Sequence, residues 1–146
     1  MPCQAAEHHQ FDFWIGRWNV FNPAGKKVGE NVIEAIDGGC VLLERWRGDG
    51  GFTGSSLNSW SAETKQWHQH WVDNQGGLLR LSGGREGQRM VLAASEPNPN
   101  KAGSTLRQRI SWTPLPDGAV RQFWEQSEDD GATWTTAFDG RYVRQP

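Results

Sequence analysis

Phe11-Asp12-Phe13-Trp14-Ile15-Gly16-Arg17-Trp18 is the stretch on which the fold turns. The aromatic segment Gln10 to Ile15 has length for one helical turn and no more. Gly16 then allows a sharp change of direction into an extended segment, and Trp18 on that segment is placed to point inward. A helical turn, a glycine and an inward indole together close one end of a β-barrel. Near the other terminus, Phe138-Asp139-Gly140-Arg141-Tyr142-Val143-Arg144 supplies an arginine, assigned to Arg141, that stacks on Trp18 once the last strand lies beside the first.

Working outward from Trp18, turn signals recur along the chain: Asn22-Pro23-Ala24-Gly25, Asp37-Gly38-Gly39, Gly48-Asp49-Gly50-Gly51, Gln75-Gly76-Gly77, Ser82-Gly83-Gly84, Pro116-Asp117-Gly118 and Asp130-Gly131. Each offers the backbone conformations that tight hairpins require. The stretches between them alternate in polarity, which predicts strands at 17–22, 27–36, 40–48, 52–61, 66–73, 77–82, 88–95, 104–113, 119–127 and 133–144. The expected fold is all-β: one antiparallel up-and-down barrel of about ten strands behind a short N-terminal helical turn. Residues 1–10 are expected to be a flexible tail, and residues 11–146 a single domain.

Gly16-x-Trp18 at the head of ten antiparallel strands, with arginine at the tail, resembles the calycin superfamily of lipocalins, fatty-acid-binding proteins and nitrobindin-like haem barrels. More closely, the chain looks like a bacterial family of lipocalin-like domains of unknown function. That likeness rests on Phe13-Trp14-Ile15-Gly16-Arg17-Trp18, Gly39-Cys40-Val41-Leu42-Leu43-Glu44, Trp71-Val72-Asp73 and Gln122-Phe123-Trp124-Glu125, and extends from Phe11 over nearly the whole chain. The resemblance implies a barrel with an internal cavity and brings no activity with it.

Composition narrows the function. Leu, Ile, Val and Phe supply only 27 of 146 residues, yet net charge is -2 and there are 9 Trp. So low an aliphatic share accompanies disorder only when net charge is high; here indole takes over part of the apolar burden. No apolar run reaches the length of a membrane span, and Met1 to Gln10 lacks the pattern of a signal peptide. Fifteen basic and 17 acidic residues without runs of one sign disfavour nucleic-acid binding. Cys3 and Cys40 make no disulfide framework. The chain is expected to be cytoplasmic, and a monomer or homodimer.

Residues i and i+2 of a strand share a face. Glu44-x-Trp46, Asn58-x-Trp60, Gln69-x-Trp71 and Gln122-x-Trp124 therefore each put a polar group and an indole on one side. Because neighbouring strands are antiparallel, a polar belt with indoles toward both ends is expected. If that face points inward, Trp46, Asn58, Trp60, Gln69, Trp71, Gln122 and Trp124 form a site for a small apolar or aromatic ligand. Within it Glu44 is the candidate acid or base of a cofactor-independent isomerase, cyclase or decarboxylase, unless Arg80 or Arg109 neutralises it. A filled barrel, or outward Trp at a dimer or partner interface, are the alternatives.

His68-Gln69-His70 puts two imidazoles on one strand face, a spacing that can chelate a metal or offer a haem ligand. They lie opposite Trp67 and Trp71, so inward Trp means outward His, and no cofactor is expected. Ser127-Glu128-Asp129-Asp130-Gly131-Ala132-Thr133-Trp134 matches the Asp-box of sialidases and other propellers, which carry several copies. One copy in so short a chain predicts a hairpin held by Asp129, Gly131 and Trp134, not sialidase activity.

Overall fold

The computed structural model describes residues 2–146. It is a closed antiparallel barrel of ten strands: β1 (Gly16–Phe21), β2 (Lys27–Ile36), β3 (Val41–Gly48), β4 (Thr53–Ser61), β5 (Gln66–Asp73), β6 (Leu78–Glu86), β7 (Arg89–Pro97), β8 (Thr105–Pro114), β9 (Val120–Ser127) and β10 (Thr135–Arg144). Every strand pairs with its sequence neighbours, and β10 closes onto β1, leaving no free sheet edge. The last strand is one continuous element with a register shift between Thr136 and Phe138.

Two short 3-10 turns, Ala6–His9 and Asp12–Trp14, precede β1. The second puts Phe11 and Trp14 into the barrel end with no exposed surface. Phe11 stacks on Trp14 at 4.8 Å and meets Trp67 and Trp112 edge-on at 5.6 and 5.1 Å. Trp18 donates through Nε1 to the Trp14 carbonyl at 2.8 Å. Gly16, at φ +151°, makes the turn into β1; a Cβ there would sit 2.6 Å from Arg144 Nη1.

The arginine over Trp18 is Arg144, at 4.2 Å from the ring, and not Arg141. Strand pairing explains the correction. Trp18 faces Arg144 across the β1–β10 seam, whereas Arg141 lies three residues away and on the outer face, where it pairs with Asp117. Arg144 also donates to the Ile15 carbonyl at 3.1 Å, so one side chain covers the indole and caps the aromatic turn.

Residues 2–10, expected as a tail, lie against this closed end. A disulfide joins Cys3 to Cys40, His8 meets Trp60 edge-on at 5.2 Å, and Trp67 Nε1 donates to Gln10 Oε1 at 3.3 Å. One bridge does not assign a compartment. No helix among the described residues is long and apolar enough to cross a membrane.

The Asp-box is a hairpin link between β9 and β10. Asp129 accepts from Ser127 Oγ and from the Thr133 backbone, both at 2.8 Å. Gly131 takes φ +87°, and Trp134 Nε1 donates to its carbonyl at 3.1 Å. Outside the barrel the Trp134 ring carries the Arg109 guanidinium at 3.9 Å. The hydroxyl and amide donors hold the Asp129 carboxyl down at about 2. Asp129→Ala is expected to loosen this hairpin, seen as faster amide exchange confined to residues 127–135, with ligand binding in the barrel unchanged.

Candidate functional site

The inward faces of the strands sort the indoles by end. β3, β5 and β9 run toward the open end and carry Trp46, Trp71 and Trp124 there; β4 and β8 run the other way and carry Trp60 and Trp112 to the closed end. At the closed end Trp14, Trp18, Trp67 and Trp112 are at most 2% exposed. At the open end Trp46, Trp71 and Trp124 are only partly buried. Between them lies a cavity of about 780 Å³, open to solvent, with Trp46, Trp71, Trp124, Phe138, Leu79 and Ile110 among its walls.

A continuous hydrogen-bonded arc forms the polar side of this cavity. Tyr142 donates through its hydroxyl to Gln122 Oε1 at 2.6 Å. Asn31 Nδ2 donates to Tyr142 Oη at 2.8 Å and to Glu44 Oε2 at 2.7 Å. From the other side Gln69 Nε2 donates to Asn58 Oδ1 at 2.7 Å, Asn58 Nδ2 to Ser56 Oγ at 2.8 Å, and Ser56 Oγ to Glu44 Oε1 at 2.6 Å. Six strands contribute one or two residues each. β6 and β8 add Leu79 and Ile110 to the cavity wall, and Gln108 of β8 accepts from Trp124 Nε1 at 2.6 Å.

Glu44 is the focus of the arc. It is 4% exposed and borders the cavity. Burial pushes its carboxyl above the ordinary value of 4.5, against the opposing pull of the Ser56 and Asn31 hydrogen bonds. No cation answers it. Arg109 lies outside, bonded to Glu125 at 3.0 Å, and Arg80 is on the outer face of β6 opposite His70. The expected neutralising arginine is therefore absent among the described residues. Tyr142 is raised well above 10.0, first by burial and then by the neighbouring Glu44 charge.

What keeps the lumen open is a set of glycines under the aromatic rings. A Cβ on Gly54 would lie 2.2 Å from the Trp71 ring, and one on Gly29 would lie 2.6 Å from that of Trp46. A Cβ on Gly48 would lie 2.9 Å from Trp46 Nε1, and one on Gly140 would lie 2.6 Å from the Phe138 ring. Trp46 and Trp71 each lie over a glycine of a neighbouring strand, and Phe138 lies over a glycine two residues on in its own strand. With any larger residue there the ring has to swing into the cavity, because the backbone of a closed barrel yields little. Gly54→Ala is accordingly expected to push Trp71 inward, weaken binding of a neutral fluorescent probe several-fold, and blue-shift the emission of the unliganded protein.

Of the residues singled out from sequence, Glu44, Trp46, Gln69, Trp71, Gln122 and Trp124 border the cavity. Asn58 does not; it is wholly buried and serves the arc through Ser56 and Gln69. Trp60 does not either, since β4 carries it to the closed end beside His8. Asn31, Ser56, Tyr142 and Phe138 were not anticipated. Asn31 and Ser56 lack the i+2 indole that marks the other positions, and the sequence around Tyr142 marks it only as part of the closing strand. The signal that could have found Phe138 and the flat indoles is glycine at inward positions opposite or beside an aromatic residue.

His68 and His70 alternate with the inward Trp67, Gln69 and Trp71, and His68 Nε2 is engaged by Thr64 Oγ1 at 2.7 Å. Among the described residues no group of three or more His, Cys, Asp and Glu side chains is placed to hold a metal ion. No protein-family model matches the chain, and no curated protein matches it significantly.

Proposed function

We propose that this protein binds a small, partly apolar or aromatic molecule in the open half of its barrel, in the manner of the calycin superfamily it resembles. The observation that carries this reading is the cavity of about 780 Å³ with flat indole walls and a polar arc along one side. Ligand sites of this size characteristically combine apolar walls with a few placed polar groups. A barrel selected only for packing has no use for four glycines that hold aromatic rings away from its centre. Trp46, Trp71 and Trp124 supply the walls, while Glu44, Gln69 and Gln122 orient the ligand. Asn58 holds Gln69 in place. No cofactor is invoked.

The test is titration with N-phenyl-1-naphthylamine, a neutral dye whose emission rises in apolar surroundings. Saturable enhancement with quenching of indole emission is expected, and Gly54→Leu, which fills the space under Trp71, should abolish both. A dye response that is linear, or unchanged by Gly54→Leu in a folded variant, counts against a ligand site.

A further inference from the structure

We infer that the ligand of this cavity carries one positive charge, as a protonated amine on an aromatic or apolar body, with the charge seated against Glu44. This rests on the reading of the barrel as a small-molecule binder and names the chemistry of what it binds. Glu44 is a buried carboxyl whose only partners are the neutral Asn31 and Ser56. A carboxylate removed from water without a counter-charge is costly, and Glu44 meets none from the barrel wall. Facing it are Asn31 of β2, Ser56 of β4 and, through Asn31, Tyr142 of β10. The other charged groups bordering the cavity are near its mouth: exposed Lys26 and Asp49, which oppose each other in sign, and Asp139, which is paired with Arg121.

The direction of the hydrogen bonds strengthens the inference. Gln69 donates to Asn58, Asn58 to Ser56, and Ser56 to Glu44, while Asn31 donates to Glu44 from the opposite side. The donors of Gln69, Asn58, Ser56 and Asn31 thus all run toward one carboxylate and support negative charge on it, while the Tyr142 hydroxyl points the other way, to Gln122. Gln69 spends its N–H on Asn58, which leaves its carbonyl oxygen as a second acceptor bordering the cavity. The aromatic groups follow the same polarity. Trp46 is two residues from Glu44 on the same face, and Trp71 shares its cross-strand row through Ser56. Indole faces attract cations. An anionic ligand would meet a like charge and no donor cluster, and a neutral one would leave the carboxyl unanswered.

The experiment compares three probes of nearly equal shape, 2-phenylethylamine, 2-phenylethanol and phenylacetate, by isothermal titration calorimetry on the full chain at neutral pH. The amine is expected to bind at least about tenfold more tightly than the alcohol, and phenylacetate weakest of all. In Glu44→Gln the preference for amine over alcohol should collapse to an affinity ratio near one. Should that variant fail to fold, the unaltered protein decides the matter. The amine-to-alcohol affinity ratio should climb as pH rises beyond the ordinary carboxyl value of 4.5 and Glu44 gives up its proton, with alcohol affinity flat. Amine and alcohol binding equally, or a ratio that does not change with pH, overturns the charge assignment and leaves the cavity reading standing. Absence of binding by all three probes and by the neutral naphthylamine dye overturns both.

Discussion

Trp18→Ala is expected to lower the stability of the fold by about 3–5 kcal/mol, the range for removing a large aromatic from a packed core. Trp18 has no exposed surface. Its ring lies under Arg144 at 4.2 Å and beside Tyr142 at 5.9 Å, and its N–H holds the Trp14 carbonyl. Alanine would leave a void lined by Trp14, Tyr142 and an arginine with nothing to stack on. For a domain of this size the loss corresponds to a fall in Tm of roughly 6–20 °C. The informative control is Trp46→Ala. Trp46 is partly exposed over the cavity, so its removal should cost less than about 2 kcal/mol while impairing ligand binding. Thermal denaturation of the two variants measures the division between a structural and a receptive end. Equal losses for both would mean that the barrel is packed uniformly and that its open half is not set aside for a ligand.

The same division shows how much could be read from the chain alone. Strand number, closure and the position of the closing turn were legible because they depend on local signals: turn residues between alternating stretches, and Gly16-x-Trp18 after an aromatic turn. The partition of indoles between the two ends was legible too, since it follows from strand direction alone. What eluded the sequence depends on registration across strands. Arg141 and Arg144 have equal claim in the text of the chain; only the pairing of Trp18 with Arg144 across β1 and β10 chooses between them. Asn31 enters the arc because β2 places it beside Trp46, one step from Glu44, and nothing within β2 marks it. Trp60 carries the same polar-x-Trp pattern as Trp46 yet is claimed by His8 from the N-terminal segment. A periodic pattern identifies a face of a strand. Which level of the barrel that face reaches is a property of the neighbours.

Glu44 is expected to make the stability of the unliganded protein fall as pH rises. Burial places its folded-state value above 4.5, the value it has when unfolded. Between those two values the folded chain holds more protons than the unfolded one, so raising the pH favours unfolding by up to about 1.4 kcal/mol per pH unit. Below about 4.5 both states are protonated and the penalty is gone; above the folded-state value it has reached its full extent. Glu44→Gln keeps the shape of the side chain and removes the titration. The difference in unfolding free energy between the two proteins, measured by urea denaturation from about pH 4 to about pH 8, should therefore turn in favour of the variant as pH rises. Other shifted carboxyls cancel in that difference: Glu30, Asp73, Asp117 and Asp129 are all held below their ordinary values and act at lower pH in both proteins alike. Saturating 2-phenylethylamine should reverse the order at neutral pH, because only the unaltered protein offers the amine a carboxylate. Parallel curves across the range would mean that Asn31 and Ser56 hold the Glu44 carboxylate as well as water does, and the barrel would then contain no uncompensated charge for a ligand to answer.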